Sequence, residues 1–526
     1  MKIFVLVSAV VFVLSVSVRS GQTQLRNQPT YVSDEVLVKF APGVKSNIAN
    51  RTLQLAGAGV LERLGDLGWV RVRVPKGTSV QNAIDSYSGF QDVIAVQPNY
   101  YYRLQDTPDD PLFVSGNMYG LLKISAPAAW DIATGSSAVV VADIDTGMRY
   151  THEDLAPNLW TNTGEIPNNG IDDDGNGFID DYHGYDFRGD NPTPSEDGDP
   201  NDQYGHGTHT AGTIGAAGNN GLGVVGVAWN IKIMPIKIFG APPANDTTTA
   251  MVINAYNYVR IMKNRGVNIR VTNNSYAGPP ETPTNDQAMK DAIDAMGDAG
   301  ILNVFAAGND SNNNDVNPIY PGSFSSPSIL SVAASDANDN RPGFSNYGAV
   351  SVDLAAPGVA IWSTMFFSDS SYGVMSGTSM ATPHTAGAAA LLSSLNPSLS
   401  VASLKATLMN TVDQLPQWNG VVKSGGRLNV ANALQHQTVC TYGLASPSIW
   451  ISNKGGFASV DVSAPQNCEF SVKSGSYWIH VYSDAMMNGG GTVTFRVSVS
   501  PTITRQGNIT IGGQTFTVRQ SRLPIL

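Results

Sequence analysis

The chain has 526 residues, which at about 150 residues per domain predicts three or four domains. Hydrophobic residues make up 42% of the sequence, enough to fill several cores, so wholesale disorder is excluded. The net charge of −11 argues against a nucleic-acid binder, because such proteins neutralise phosphates with lysine and arginine. Two cysteines are too few for a disulfide scaffold or a cysteine-rich zinc site. The composition therefore indicates an acidic, globular, multidomain protein.

An apolar run over residues 3–18 follows Lys2 and is short for a membrane-spanning helix, which needs about 20 apolar residues. Small residues at its end predict a secretory signal peptide over residues 1–20, cut within residues 15–20. An uncleaved N-terminal anchor is the alternative. Because no comparable apolar stretch follows, we expect a secreted, extracellular protein with no membrane span after signal cleavage.

Residues 28–106 carry a pattern that predicts strand, helix, strand, strand, helix, strand. Residues 35–40 and 69–74 alternate with period two, whereas residues 44–56 and 80–88 have helical spacing. This order is typical of a small α+β domain of the split βαβ type. The polar, proline-containing segment QDTPDD then predicts a linker and a cleavage site.

Residues 107–436 alternate short β-rich apolar runs with helical segments, which predicts an α/β domain with a doubly wound parallel sheet. In residues 437–526 the helical spacing stops, and period-two runs separated by glycine-rich turns predict an all-β sandwich. Cys440 and Cys468 both lie in this last part. Export would favour a disulfide between them, and two free thiols are the alternative.

Three short segments each have the pattern of a strand end or turn that leads into a helix. VADIDTG delivers Asp145 at the end of a buried strand, GHGTHTAG places His206 at a helix start, and SGTSMATP places Ser379 at another. In an open α/β sheet, sites gather at the carboxyl ends of the strands. We therefore expect an acid, an imidazole and a hydroxyl to meet there.

These three residue types are the parts of a nucleophilic serine site. A serine hydroxyl is a weak nucleophile until a neighbouring base accepts its proton, and histidine suits that task because its pKa lies near neutrality. A buried carboxylate fixes the histidine tautomer and stabilises the imidazolium that forms. Asn309, in AAGN, could add a side-chain amide that binds the developing oxyanion.

With these motifs the chain resembles a subtilisin-family serine protease, a subtilase. The segments DTG, GHGTHTAG, AAGN and GTSMATPH are together specific to that family, and the order acid, base, nucleophile agrees with it. The resemblance implies Asp145 as triad acid, His206 as base, Ser379 as nucleophile and Asn309 as oxyanion donor. It also implies two substrate-lining segments, formed by Ser275, Tyr276, Ala277, Gly278 and by Ala306, Ala307, Gly308.

The resemblance implies a secreted endopeptidase made as a zymogen, which hydrolyses protein or peptide substrates through an acyl-enzyme on Ser379, with broad specificity. One alternative is an adhesion or carbohydrate-binding protein with an inert protease-like domain; the full set of catalytic groups argues against it. Another is an esterase with the same triad, but the chain has no GxSxG segment and a different triad order.

Asp143 is a departure from the family pattern, which more often has an apolar residue there. It lies two residues before Asp145 on the same face of the strand. We expect a solvated residue at the strand end. The alternative is that two nearby carboxylates raise one pKa and give an unusual pH profile.

An acidic stretch predicts a calcium site. Asp172, Asp174 and Asn176 place oxygen ligands at alternate positions before a glycine, but His183 stands where a calcium loop of the EF-hand type has its glutamate. A solvated acidic loop is the alternative. The family resemblance supports structural calcium here and implies a second site, with ligands from Asp154, Gly218, Asn220, Leu222 and Val224.

The resemblance also gives roles to the flanking domains. Residues 28–106 resemble an inhibitory propeptide that occupies the active-site cleft until cleavage, with NYYYRL as the occupying strand; a permanent regulatory domain is the alternative. Residues 437–526 resemble the BACON type of β-sandwich, which suggests attachment to a carbohydrate surface. A passive stabilising module is equally compatible with the sequence.

Overall fold

The computed structural model describes residues 31–55, 57–101, 107–189, 195–241, 246–278, 286–500 and 504–521. The predicted signal peptide and the first two residues of the predicted linker lie outside these residues. The chain divides into two compact units, Met1–Leu104 and Gln105–Leu526, and each is described by itself. Of the helices in the described ranges, none is both long enough and apolar enough to cross a membrane.

The first unit has the predicted α+β order. Its elements are β1 (Tyr31–Phe40), α1 (Ser46–Leu55), β2 (Gly59–Leu64), β3 (Trp69–Arg73), α2 (Val80–Ser88) and β4 (Val93–Tyr100). The antiparallel sheet has the order β2-β3-β1-β4, and alternate valines of β1 and β3 point into one core with Leu53 and Tyr87. Ser79 caps α2, because its hydroxyl accepts a hydrogen bond from the Asn82 N–H at 3.1 Å.

The second unit begins with an α/β domain. Its helices are α3 (Pro111–Val114), α4 (Tyr119–Lys123), α5 (Ala126–Trp130), α6 (His206–Gly215), α7 (Thr249–Asn264), α8 (Gln287–Asp298), α9 (Thr378–Leu395), α10 (Val401–Asn410) and α11 (Val430–Gln435). Its strands are β5 (Val140–Asp145), β6 (Tyr185–Asp186), β7 (Lys232–Lys237), β8 (Ile269–Asn274), β9 (Leu302–Ala306), β10 (Ile329–Ser335), β11 (Leu354–Pro357), β12 (Ile361–Thr364), β13 (Tyr372–Met375), β14 (Asp413–Gln414) and β15 (Gly426–Arg427). Two short 3₁₀ helices are Ala156–Asn158 and Pro416–Trp418.

The large sheet confirms the predicted doubly wound α/β class. Its order is β14-β15-β11-β10-β9-β8-β5-β7-β6, and every pair except β14 with β15 is parallel. Strand β5 lies between β7 and β8, so the strand order changes direction at β5. The carboxyl end of such a strand is where open α/β sheets place their sites.

The two faces of the sheet form separate hydrophobic cores. On one face the strands pack against α6 and α9, and on the other against α7 and α8. Successive residues of β5 divide between the cores: Val141 joins the first, whereas Val140, Ala142 and Ile144 join the second. Because side chains alternate along a strand, Asp143 and Asp145 belong to the face that packs against α6 and α9.

A two-layer β-sandwich follows, as predicted. Its strands are β16 (Gly443–Leu444), β17 (Ser448–Ile451), β18 (Gly456–Ser463), β19 (Glu469–Ser474), β20 (Ile479–Val481), β21 (Met486–Asn488), β22 (Gly491–Val497), β23 (Arg505–Ile511) and β24 (Gln514–Gln520). They form sheets of order β16-β18-β22-β20 and β17-β24-β23-β19-β21. Cys440 and Cys468 form a disulfide. Trp478 belongs to the sandwich core, whereas Tyr477 is 90% exposed.

Buried charges join the sandwich to the α/β domain. Glu469, at the start of β19, accepts from the Lys405 ammonium of α10 at 2.8 Å and also from Lys423. Lys405 also lies 3.4 Å from Asp353. Lys405, Asp353 and Glu469 are each less than 10% exposed. A buried charge without its partner is costly, so this cluster ties the two domains together.

The Lys405 cluster generates a stability prediction. Lys405→Met leaves the buried Asp353 without its ammonium partner and removes one of two from Glu469, so we expect unfolding to become easier by about 3–5 kcal/mol. Lys290→Met is the matched control, because Lys290 pairs with Asp294 at a more exposed i,i+4 position, worth about 0.5 kcal/mol. Denaturant unfolding in a Ser379→Ala background measures both, and equal stabilities of the two variants would contradict the prediction.

Candidate active site

The chemistry-bearing side chains predicted from the three motifs converge at the carboxyl end of β5. Asp145 is the last residue of β5 and is 1% exposed, and His206 is the first residue of α6. The His206 Nδ1 and Asp145 Oδ1 atoms lie 2.7 Å apart. Asp145 Oδ1 also accepts the N–H of Thr146 at 2.8 Å. The carboxylate therefore holds one nitrogen of the imidazole and leaves Nε2 on the other side of the ring.

A second buried carboxylate, Asp202, orders the start of α6. It accepts the N–H groups of Gly205 and Thr208, at 2.8 and 2.9 Å, and the hydroxyl of Thr146 at 2.9 Å. The Thr146 hydroxyl oxygen in turn accepts the Gly207 N–H at 2.8 Å. These bonds satisfy first-turn donors of the helix and fix the backbone on both sides of His206. The sequence reasoning missed Asp202, which lies three residues before the N-cap Gly205 and so outside the usual capping position.

The electrostatic surroundings favour the charged form of His206. Burial alone would lower its pKa, but the charge of Asp145 and the hydrogen bond to it outweigh burial, so the pKa lies above its usual 6.5. A histidine whose pKa is raised in this way accepts a proton more readily, and its imidazolium can return that proton to a leaving group.

Ser379 is the second residue of α9, where the first-turn N–H groups point out of the helix. Its hydroxyl donates to the Ser275 carbonyl at 2.9 Å, and the described residues include no hydrogen bond between Ser379 and His206. Rotation about χ1 of Ser379 would release this hydroxyl. Catalytic hydrogen bonds are commonly longer or absent before substrate binds.

Asn309 follows β9, close to the start of α9. Its Oδ1 accepts the N–H and the hydroxyl of Thr378 at 2.9 and 3.0 Å. Because these bonds fix the carbonyl side of the amide, its Nδ2 group is the one left to donate. Asn309 and Ser379 both line an open cavity of about 290 Å³.

Most of the expected substrate residues line this cavity. Its lining includes Tyr276, Ala277, Gly278, Ala306, Gly308 and Thr378. Ser275 is buried beside it and contributes its carbonyl oxygen to Ser379. Ala307 does not line the cavity: its side chain packs in a small core with Ala333 and Val352.

The expectation of a solvated Asp143 is wrong. This side chain is 2% exposed; its carboxyl group lies 2.8 Å from the Thr210 hydroxyl oxygen and accepts from the Asn273 side-chain amide at 2.8 Å. Burial raises the pKa of Asp143 well above its ordinary value, and repulsion from Asp145 adds to this. The sequence did not predict the burial of Asp143, because its partners Thr210 and Asn273 are 67 and 130 residues away along the chain.

The acidic loop brings three carboxylates together: those of Glu165, Asp172 and Asp174, with ligand atoms within 4.8 Å of one another. Glu165 was not predicted, and its Oε2 is buried without a hydrogen-bond partner. Asn176 instead uses its oxygen to accept the Phe178 N–H at 2.7 Å. Arg265 lies 3.1 Å from Asp174 Oδ1 and partly offsets the negative charge.

The second expected loop folds around Asp154. The Asn220 amide donates to Asp154 Oδ1 at 2.9 Å, and the Val224 N–H donates to Oδ2 at 3.0 Å. Gly218 and Leu222 belong to the same turn. Asp110, which sequence reasoning missed, receives the Asn219 N–H at 2.8 Å and has a buried oxygen, Oδ1, without a partner. An orphaned buried carboxylate oxygen fits a cation site.

Comparison with known proteins places this geometry in a family. The profile described as Subtilase family matches residues 136–477, and the one described as Fervidolysin N-terminal prodomain matches residues 19–99. Thermitase from Thermoactinomyces vulgaris is 36% identical over 330 residues, which cover 63% of this chain and 100% of that protein. A thermophilic serine proteinase from Bacillus sp. (strain AK1) is 31% identical over 409 residues, 77% of this chain and 88% of that one.

A solved structure agrees with the sequence comparison. A protease from Pseudoalteromonas arctica PAMC 21717 superposes with a TM-score of 0.51 at 29% identity, covering 63% of this chain and 99% of that chain. The fold and the site thus define a serine endopeptidase, a hydrolase with an N-terminal prodomain. The chain belongs to the subtilase family.

The contact between Asp145 and His206 generates a prediction for the imidazole pKa. In a Ser379→Ala background, NMR titration should give His206 a pKa above 6.5. Asp145→Asn removes the charge that outweighs burial, so the pKa of His206 should fall. Asp291→Asn is the control: it keeps Asp145, so the pKa of His206 should be the same as in the parent protein. A pKa of His206 that does not respond to Asp145→Asn would contradict this geometry.

Proposed function

We propose that Asp145, His206 and Ser379 are the catalytic triad of this endopeptidase, with Asn309 as oxyanion donor. The observation that carries the proposal is the 2.7 Å contact between His206 and the buried Asp145, with Ser379 at the start of the neighbouring helix α9. The carboxylate orients the imidazole and stabilises its charged form, so Nε2 is available as a base.

The chemistry follows from these positions. When Ser379 rotates away from the Ser275 carbonyl, His206 accepts its proton while Oγ attacks the scissile carbonyl. The oxyanion receives the Asn309 amide and the Ser379 N–H, and loss of one such donor typically raises the barrier by about 2.7–4 kcal/mol. His206 then gives its proton to the leaving amine. Water, activated in the same way, hydrolyses the acyl-enzyme on Ser379 and completes the cycle.

The shape of the cleft supports broad specificity with a preference for apolar side chains. The cavity beside Ser379 has small residues, Ala277, Gly278, Ala306 and Gly308, on its walls. A second cavity of about 320 Å³ shares Tyr276, Ala277 and Gly278 with it. The second cavity adds apolar walls from Phe239, Val252, Met289 and Phe324. Burial of apolar substrate side chains there would stabilise the complex by about 25 cal/mol per Å².

We propose residues 28–106 as an inhibitory propeptide and residues 107–436 as the mature catalytic domain. The prodomain match over residues 19–99 and the compact four-stranded unit support this assignment. The segment NYYYRL, proposed to occupy the cleft, lies partly outside the described residues. A signal peptide over residues 1–20 and secretion complete the zymogen proposal, and the relatives named as proteases agree with it.

Self-processing tests the proposed nucleophile. Intact mass spectrometry of the secreted wild type should show loss of the N-terminal segment, with a cut near residues 102–107. Ser379→Ala should keep the segment, because without the nucleophile no acyl-enzyme forms. Ser370→Ala is the control and should be processed like the wild type, since it removes an exposed hydroxyl that has no part in the proposed site. Processing of Ser379→Ala in a host without other proteases would contradict the proposal.

Two calcium sites are proposed as structural elements. Glu165 with the predicted Asp172 and Asp174 would form the first, with Asn176 close by. Asp154 and Asn220 with the carbonyls of Gly218, Leu222 and Val224 would form the second, together with Asp110. The orphaned oxygens of Glu165 and Asp110 support both, because Ca²⁺ takes six to eight oxygen ligands and leaves few of them unused.

Calcium removal tests this directly. In a Ser379→Ala background, added Ca²⁺ should raise Tm, with about 2.7 kcal/mol of stabilisation at one hundred times its Kd. Asp154→Asn and Asp172→Asn should each remove part of that increase. Asp291→Asn, a carboxylate that only accepts from Gln287 on α8, should leave it unchanged. A Tm that is the same with Ca²⁺ and with chelator would contradict the proposal.

The carbohydrate role suggested for residues 437–526 stays a prediction. Tyr477 is an exposed aromatic residue that could stack on a sugar ring, whereas Trp478 is buried beneath Arg505, whose guanidinium lies 4.1 Å from the ring centroid. The buried charges that join the sandwich to the α/β domain favour a stabilising role.

A further inference from the structure

A continuous chain of hydrogen bonds runs beneath the proposed triad and includes Asp143. The Thr210 hydroxyl and Asp143 Oδ2 lie 2.8 Å apart, and the Asn273 Nδ2 donates to Asp143 Oδ1 at 2.8 Å. The same Nδ2 donates to the Ser275 hydroxyl oxygen at 3.0 Å, and the Ser275 hydroxyl donates to the Ser379 carbonyl at 2.9 Å. The side chains of Thr210, Asp143, Asn273 and Ser275 are therefore linked in series and end at the backbone carbonyl of Ser379.

This chain joins the two helices that carry the base and the nucleophile. Thr210 lies one turn after His206 on α6, and Ser379 lies at the start of α9. Asp143 on β5 and Asn273 on β8 are paired in the parallel sheet. Each of Thr210, Asp143 and Asn273 is at most 2% exposed, so water does not compete for these bonds.

The single hydroxyl hydrogen of Thr210 indicates whether Asp143 is protonated. A threonine hydroxyl has one hydrogen to donate, yet its oxygen lies 2.8 Å from Asp143 Oδ2 and 3.0 Å from the Gly207 carbonyl. If Asp143 is ionised, both neighbours are acceptors and one short contact lacks a hydrogen. If Asp143 carries a proton on Oδ2, that proton goes to the Thr210 oxygen and the Thr210 hydrogen goes to Gly207. Both contacts are then hydrogen bonds.

The charges around Asp143 agree with a neutral group. In the described part of the chain, Asp143 has no ion-pair partner, and Asp145 on the same strand is a like charge. On α6 the titratable neighbour is His206. On β7 its register partner is Pro235, and Lys237, two pairs further on, is held by Asp186 at 2.7 Å. Towards β8 and α9, the hydrogen bonds that start at Asp143 pass through uncharged groups, those of Asn273, Ser275 and Ser379.

We propose that Asp143 is a positioning residue held as a neutral carboxylic acid, which donates to Thr210, accepts from Asn273 and so fixes helix α6 relative to helix α9. Its functional meaning rests on the proposed triad. In the neutral state Asp143 adds no negative charge beside His206, and Asp145 remains the carboxylate that contacts and stabilises the His206 imidazolium. Ionised, it would add a second negative charge that holds His206 in its protonated form, which cannot act as a base.

The protonation state can be tested without activity, in the full-length Ser379→Ala protein. Infrared difference spectra at neutral pH should contain a carboxylic-acid C=O band that Asp143→Asn removes. The folded chain keeps this proton to higher pH than the unfolded chain, whose aspartate titrates at about 3.9. The parent protein therefore loses stability from this group as pH rises above about 4, whereas the Asp143→Asn variant has no such loss. The Tm of Asp143→Asn relative to its parent should accordingly increase with pH.

Kinetics then test positioning. Thr210→Val breaks the chain between the helices and should lower kcat by about tenfold with KM nearly unchanged, because binding groups stay in place while the base moves. Thr213→Val, on the same helix, is the matched control. Among the described residues its hydroxyl bonds only the His209 carbonyl, at 3.1 Å, so kcat and KM should stay as in the wild type. Asp143→Asn reproduces the donor and acceptor of the acid and should retain about tenfold more kcat than Asp143→Leu.

The outcomes separate the failure of this proposal from that of the proposed triad. Absence of the acid band together with a Tm difference that is constant between pH 4 and pH 8 would overturn the neutral Asp143, whatever the activity. Equal kcat values for Thr210→Val and Thr213→Val would overturn the positioning role. If Asp143→Leu does not fold, the infrared and Tm comparisons with Asp143→Asn still decide the question. A wild type inactive on peptides would contradict the triad and leave both physical measurements valid.

Discussion

The active site depends on the burial of one carboxylate, that of Asp145, at the end of the strand where the sheet reverses its order. A buried charge must be compensated, and here the His206 imidazole and the Thr146 N–H do so. The same requirement extends outward, because the Thr146 hydroxyl bonds Asp202, which in turn fixes the first turn of α6. The position of the imidazole is thus set by the charge that it neutralises.

A second buried carboxylate lies two residues earlier, and the structure treats it differently. Asp145 faces a group that can become a cation, whereas Asp143 faces a hydroxyl and an amide. Two carboxylates on one buried strand face cannot both be ionised cheaply, and burial together with repulsion from Asp145 raises the pKa of Asp143. One carboxyl group then serves the electrostatics of the histidine. The other serves the geometry between the two helices.

Local patterns in the sequence were enough for the fold and the motif residues. Helix α2 has the predicted bounds, residues 80–88, because its cap and spacing are encoded within one short segment. The motifs around Asp145, His206 and Ser379 identified the family for the same reason. Contacts between distant segments were not predictable: Asp110 meets a turn 109 residues away, and Glu165 was found only because the loop folds back on itself. Burial of Asp143 belongs with these cases, since strand alternation alone cannot say what covers a face.

Labelling of the nucleophile tests the central claim most directly, namely that the end of β5 unites the three groups into one reactive site. A fluorophosphonate probe reacts with an activated serine, and peptide mapping by mass spectrometry identifies the residue. The account predicts a label on Ser379 in the processed enzyme, and little label when His206→Ala removes the base. Label on another serine, or equal labelling of Ser379 in the absence of His206, would contradict it.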